Sequence, residues 1–153
     1  MNYFMQTAID EARHGMDHNH GGPFGAVIVK DGEIISRAHN EVLRTNDPTA
    51  HAEILAIRQA SELLDRFDLS DCEIYTTSEP CPMCLAAIYW ARIRTVYFGS
   101  GKEDVARIGF DDSRFYEIIR SGNGSELSRI NIEKEKCLEL LKRWEKKPDK
   151  QMY

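Results

Sequence analysis

Two short segments constrain this chain more than anything else in it: T-A-H-A-E at 49–53 and E-P-C-P-M-C at 79–84. Each heads an apolar run. After the first, Ile54, Leu55, Ile57, Ala60, Leu63 and Leu64 recur at helical spacing; after the second comes M-C-L-A-A-I-Y-W-A-R-I. The pattern predicts two helices, one carrying His51 and Glu53 in its first turn, the other carrying Cys81 and Cys84 at its start. Amide groups and the helix dipole favour thiolate over thiol at such a position. Pro80 and Pro82 flank Cys81 and should stiffen the turn, because a proline at the first helical positions lacks only an amide hydrogen that would be unpaired anyway.

Zinc takes nitrogen and sulfur ligands in tetrahedral array, and a catalytic site keeps three protein ligands so that water fills the fourth place. His51, Cys81 and Cys84 are such a set. Glu53, two residues beyond His51, is turned about 200° around the helix axis and is expected near the ion without binding it. A carboxylate there can take a proton from a water that zinc has acidified to a pKa of about 7 and hand it to a leaving group. The alternative is a closed structural module with a fourth ligand. Against it, Cys72 and Cys137 stand alone in the sequence, and both are read as ordinary buried thiols. His14, His18 and His20 crowd the segment R-H-G-M-D-H-N-H-G-G, but a second metal centre needs convergent geometry that a glycine loop does not guarantee, and none is predicted there.

The remaining patterns supply a frame for these helices. Residues 2–16 read as an amphipathic helix through Phe4, Met5, Ala8, Ile9, Ala12 and Met16. G-A-V-I-V-K and E-I-I-S-R-A-H-N are two β-rich runs across Asp31-Gly32, a tight hairpin signal. C-E-I-Y-T-T and T-V-Y-F-G are further strands, a polar loop runs on to Gly109, and F-D-D-S-R-F-Y-E-I-I-R looks helical. R-I-N-I-E is read as a fifth strand, followed by a last helix. Strands alternating with helices after an opening hairpin predict a single α/β domain over 1–153, a three-layer α/β/α sandwich around a mixed five-stranded sheet.

With 153 residues there is enough chain for one ordinary core, and no apolar run approaches the length that crosses a bilayer. The acidic N-terminus is unlike a signal peptide, and a cysteine pair in a tight turn suits metal binding in a reducing compartment, so a cytoplasmic, membrane-free protein is expected. A net charge of −5 disfavours a nucleic-acid partner. One exception is L-K-R-W-E-K-K-P-D-K at 141–150, with five basic residues in ten, which reads as a solvated helix face.

Together, T-A-H-A-E and E-P-C-P-M-C resemble the cytidine-deaminase-like zinc deaminase superfamily. Within it, G-G-P-F-G-A-V-I-V-K-D-G at 21–32, N-D-P-T-A-H-A-E, E-P-C-P-M-C-L-A-A-I-Y-W-A-R and G-F-D-D-S at 109–113 look most like the bacterial guanine deaminases. The resemblance implies one catalytic zinc and hydrolysis of guanine to xanthine and ammonia, with attack at C2 and Glu53 moving protons. It further implies that Asn40 hydrogen-bonds the purine, that Phe24 packs on its ring, and that Asp112 contacts the exocyclic amine and assists proton transfer, leaving Asp111 as helix cap. Ala52, Trp90 and Tyr153 join the substrate-binding residues on the same likeness, with Trp144 a second aromatic candidate. The family's C-terminal segment, about 133–153 here, closes the pocket and can be exchanged between subunits, which implies a homodimer with swapped tails.

Taken alone, several of these residues have simpler readings: Asn40 as turn chemistry, Phe24 and Trp90 as core, Asp112 as part of a capping pair. Transfer-RNA adenosine deaminases share H-A-E and P-C-x-x-C and resemble the chain in a basic final helix. Deaminases of cytosine or an aminotriazine, and a noncatalytic zinc-binding interaction module, complete the alternatives.

Overall fold

The computed structural model describes residues 2–153. Asn2 caps helix α1 (Tyr3–Asp17), its side chain accepting from the Met5 amide at 2.9 Å. Strands β1 (Gly25–Lys30) and β2 (Glu33–His39) pair antiparallel across Asp31 and Gly32. Both turn residues are left-handed, with φ of 50° and 78°, as the expected two-residue hairpin turn requires. β3 (Cys72–Ser78) pairs antiparallel with the other side of β1, and β4 (Thr95–Ser100) runs parallel to β3, giving the order β2-β1-β3-β4.

The apolar run of β1 follows from its place at the centre, with both faces covered. Ala26 and Ile28 face helices α3 (Ala52–Leu64) and α4 (Pro82–Trp90), packing with Ala56, Ala60, Ile74 and Ile88. Val27 and Val29 face the other way, onto Ala8, Phe4 and Tyr75. The result is the expected α/β/α layering. Close seating of α1 depends on Gly25, where a Cβ would lie 2.0 Å from the carbonyl oxygen of Ala8.

The sheet has four strands, not the five expected. Ile130 and Ile132 alternate with polar residues as a strand would, yet a strand also needs a hydrogen-bonding neighbour, and both side chains are left 80% and 73% exposed. The segment instead runs irregularly from α6 (Ser113–Ser121) to α7 (Lys134–Lys146). A short helix, α2 (Val42–Thr45), follows β2, and another, α5 (Lys102–Arg107), occupies the expected polar loop before Gly109. Cys137 is also corrected: it is exposed on α7, whose apolar residues Leu140, Leu141 and Trp144 are exposed too, whereas Cys72 is buried as expected. Among the described residues no helix is long and apolar enough to cross a membrane.

Candidate active site

The fold brings the starts of α3 and α4 together on one side of the sheet. His51 is the N-cap of α3 and Cys81 the N-cap of α4, with Pro82 in the first turn and Cys84 one turn further on, fully buried. Two ligands on one N-terminal turn thus face a third from a neighbouring N-terminus. Unpaired amides there make the surroundings electropositive.

Zinc at about 2.3 Å from sulfur and about 2.1 Å from nitrogen, with tetrahedral angles, separates its N and S ligands by about 3.6 Å. His51 Nδ1 lies 3.6 Å from Cys81 Sγ and 3.5 Å from Cys84 Sγ, and the three donor atoms lie within 4.8 Å of one another. The residues therefore fit a zinc ion. The Cys84 thiol and, after it, His51 hold Cys81 down at about 4, against the effect of burial. The same pairing pushes Cys84 up, reinforced by burial, and Cys81 raises His51. Bound zinc supplies an acidified water and a Lewis acid.

Glu53 is buried on the inner side of α3, with Oε2 accepting from Cys84 Sγ at 3.4 Å. It stands beside the donor set without belonging to it. Burial, above all other causes, raises its carboxyl, and Cys81 adds to the rise. A carboxyl so placed can hold a proton and return it, the property a proton shuttle needs.

Over this group opens a cavity of about 540 Å³, the size of a small-molecule site, lined among others by Phe24, Asn40, Glu79, Phe110, Asp112 and Phe115. Asn40 is buried and accepts from the Val42 amide through Oδ1 at 3.1 Å, which leaves its amide nitrogen for a ligand. Phe24 meets Phe110 edge-on, ring centroids 5.1 Å apart. Asp111 caps α6, its Oδ1 accepting from the Ser113 amide at 2.9 Å, whereas Asp112 makes no side-chain cap bond. Burial first, then the charge of Cys81, raises the Asp112 carboxyl. Of the two adjacent acids, Asp111 bonds the start of α6 and Asp112 lines the cavity without a cap bond.

Three expected substrate residues do not line the cavity in this chain. Ala52 is fully buried and packs in the core on the α3 side of the sheet. Trp90, at the far end of α4 and 62% exposed, lies beside Tyr153, ring centroids 6.2 Å apart; Tyr153 also meets Phe67 at 6.3 Å. Both aromatics sit on the surface away from the zinc ligands' end of α4. Sequence reasoning missed Phe110, Phe115, Glu79 and Tyr116. Glu79 Oε2 accepts from the Lys102 amide at 3.2 Å, and the Tyr116 hydroxyl donates to the Pro80 carbonyl at 3.1 Å. Only the neighbourhood of Phe110 and Phe115 to the D-D pair could have signalled them.

Residues 1–100 match the family model of the cytidine and deoxycytidylate deaminase zinc-binding region. The chain belongs to this zinc-binding deaminase family. As a member it is a zinc-dependent hydrolytic deaminase. Among the deaminases it resembles is the guanine deaminase of Bacillus subtilis, 53% identical over 116 residues, which are 76% of this chain and 74% of that one. The crystal structure of a Bacillus subtilis guanine deaminase superimposes with a TM-score of 0.89 at 42% identity, covering 100% of this chain and 99% of that one. The tRNA-specific adenosine deaminase of Aquifex aeolicus is 48% identical over 98 residues, 64% of each chain.

Proposed function

We propose that this protein is a guanine deaminase, converting guanine and water to xanthine and ammonia. The observation that carries this reading is that Asp112 lines the same cavity as His51 and Cys81 and makes no side-chain cap bond, while Asp111 bonds the start of α6. Guanine presents an N-C(NH₂)-N edge. A carboxylate accepts from the exocyclic amine, the Asn40 amide donates to a purine acceptor, and Phe24 covers the ring face. Glu53 carries protons between the attacking water and the departing amine, and His51, Cys81 and Cys84 hold the zinc. Likeness to the Bacillus subtilis guanine deaminase over the whole chain, and not only over the zinc-binding region, supports the same choice.

The chain works as a single domain in the cytoplasm, as a homodimer whose segment 133–153 closes the neighbouring subunit's cavity with Tyr153. Exposed Ile130, Ile132, Leu140 and Leu141 on and beside that segment support this, since so many apolar side chains in water call for a cover. Trp90 then belongs to the surface on which an exchanged tail rests. Ala52 acts through its backbone amide at the open first turn of α3.

Zinc-loaded protein given guanine, cytosine, adenine and a transfer-RNA anticodon stem-loop separately, with ammonia measured, tests the substrate. Guanine alone should release it, with xanthine as product. Release from the stem-loop alone would replace this reading with the tRNA adenosine deaminase one, which the Aquifex aeolicus relative favours.

A further inference from the structure

A second group of ligating side chains, sharing no member with the zinc ligands, includes both sequence neighbours of Asn40. The histidine-rich loop does not act by itself. It meets His39 from the end of β2 and Glu41 just beyond it. His20 Nδ1 lies 2.8 Å from His39 Nε2, Glu41 Oε1 lies 3.6 Å from the same nitrogen, and the three donor atoms fall within 4.8 Å of one another. Convergence, which the sequence alone did not guarantee, is present.

The atoms around these three residues leave the right lone pairs inward. Glu11 Oε2 lies 3.0 Å from His39 Nδ1 and accepts its proton, so that His39 Nε2 presents a lone pair; a carboxylate on the outer nitrogen is the usual partner of a metal-bound imidazole. Arg44 holds Oε2 of Glu41 at 2.8 Å and leaves Oε1 for the cluster. His14 meets both rings edge-on, its ring centroid 5.9 Å from that of His20 and 5.5 Å from that of His39. His18 directs Nδ1 at the His14 carbonyl, 2.8 Å away. Side chains of His39, Glu41 and Glu11 are 11%, 20% and 21% exposed, so the pocket is formed and not a surface scatter. Gly15 makes room for it: a Cβ there would lie 2.4 Å from the His39 ring.

We propose that His20, His39 and Glu41, completed by His14, form a second site for a divalent transition-metal ion, separate from the zinc centre. Two imidazole nitrogens on a tetrahedral ion stand about 3.4 Å apart, so the pair opens by roughly half an ångström as the ion replaces the shared proton. Imidazole with one carboxylate and no sulfur suits nickel, copper or zinc and not calcium or magnesium. His39 and Glu41 flank Asn40, and the His20 carbonyl accepts from the Leu43 and Arg44 amides at 3.0 Å each. An ion at the cluster therefore ties together both chain segments that carry the cavity residues Gly22, Phe24 and Asn40.

Tag-free, zinc-loaded full-length protein is equilibrated with micromolar nickel(II), and bound metals are counted by mass spectrometry. Wild type should hold one nickel in addition to its zinc, and His20→Ala and His14→Ala should each weaken nickel uptake at least tenfold with zinc unchanged. Cobalt(II) in place of nickel should give ligand-field bands without a sulfur-to-metal charge-transfer band. No nickel uptake by wild type, unchanged uptake by His20→Ala, or a thiolate charge-transfer band from the added cobalt would overturn the proposal.

Discussion

The hydroxyl of Tyr116, on α6, donates to the carbonyl of Pro80 at 3.1 Å, joining the C-terminal third of the chain to the turn that presents Cys81. This bond ties the helix that follows Asp112 to the ligand turn. Tyr116→Phe removes the bond and little else. It should cost about 1 kcal/mol of stability, read from the urea midpoint, and lower kcat more than it lowers zinc content.

Glu53 and the zinc ligands lie in contact but separate by role. Glu53→Gln keeps the shape of the side chain, so zinc content should stay at the wild-type level while guanine turnover falls by about 10² to 10⁴. Cys84→Ser should lose both. Metal analysis beside steady-state kinetics checks the pair, and near-normal turnover by Glu53→Gln would remove the proton-shuttle role.

The proposed function gives the adjacent acids Asp111 and Asp112 different tasks, and two single variants separate them. Asp111→Ala loses the bond to the Ser113 amide at the start of α6 and should lower stability slightly with guanine kcat/KM held within a few fold. Asp112→Ala should leave stability and zinc nearly untouched and reduce guanine kcat/KM by about 10²-fold or more. Equal kinetics in the two variants would take Asp112 out of the site.

Gly21 offers a way to disturb Asn40 without replacing it. A Cβ at Gly21 would lie 2.0 Å from Asn40 Oδ1, so Gly21→Ala should displace the amide. Guanine KM should rise by about tenfold, for a lost hydrogen bond of about 1.4 kcal/mol, at unchanged zinc content.

Burial, followed by the neighbouring Asp71 carboxylate, pushes Cys72 up from 9.0 to about 11. Folding thus favours its neutral form. The unfolded chain gives up this proton first as pH rises, so stability should fall from about pH 9 toward pH 11, and Cys72→Ala should lack that part of the decline. At about pH 8, alkylation of the native zinc-loaded protein should mark the exposed Cys137 and spare Cys72, since the thiolate is the reactive form.

What the sequence made legible was local or carried by motif. The hairpin at Asp31-Gly32 and the α3 and α4 starts rest on residues within a few positions of one another. Non-local pairing was not legible. R-I-N-I-E has a strand's alternation, but alternation describes two faces and says nothing of which neighbour supplies hydrogen bonds. The same limit hid His39 from the histidine loop, because 19 residues and a strand separate it from His20. Tyr116 was missed for a related reason: an aromatic on an amphipathic helix carries no sign of the carbonyl it will meet.

In the proposed function, one zinc ion on His51, Cys81 and Cys84 supports guanine hydrolysis in this cavity. The direct test strips the metal with a chelator, restores zinc in graded equivalents, and follows xanthine from guanine at each step. Activity should vanish on stripping and return as the first equivalent fills the two-thiolate site. Xanthine formation that survives complete metal removal, or that fails to appear with the site filled, would rule out zinc-dependent guanine hydrolysis at this site.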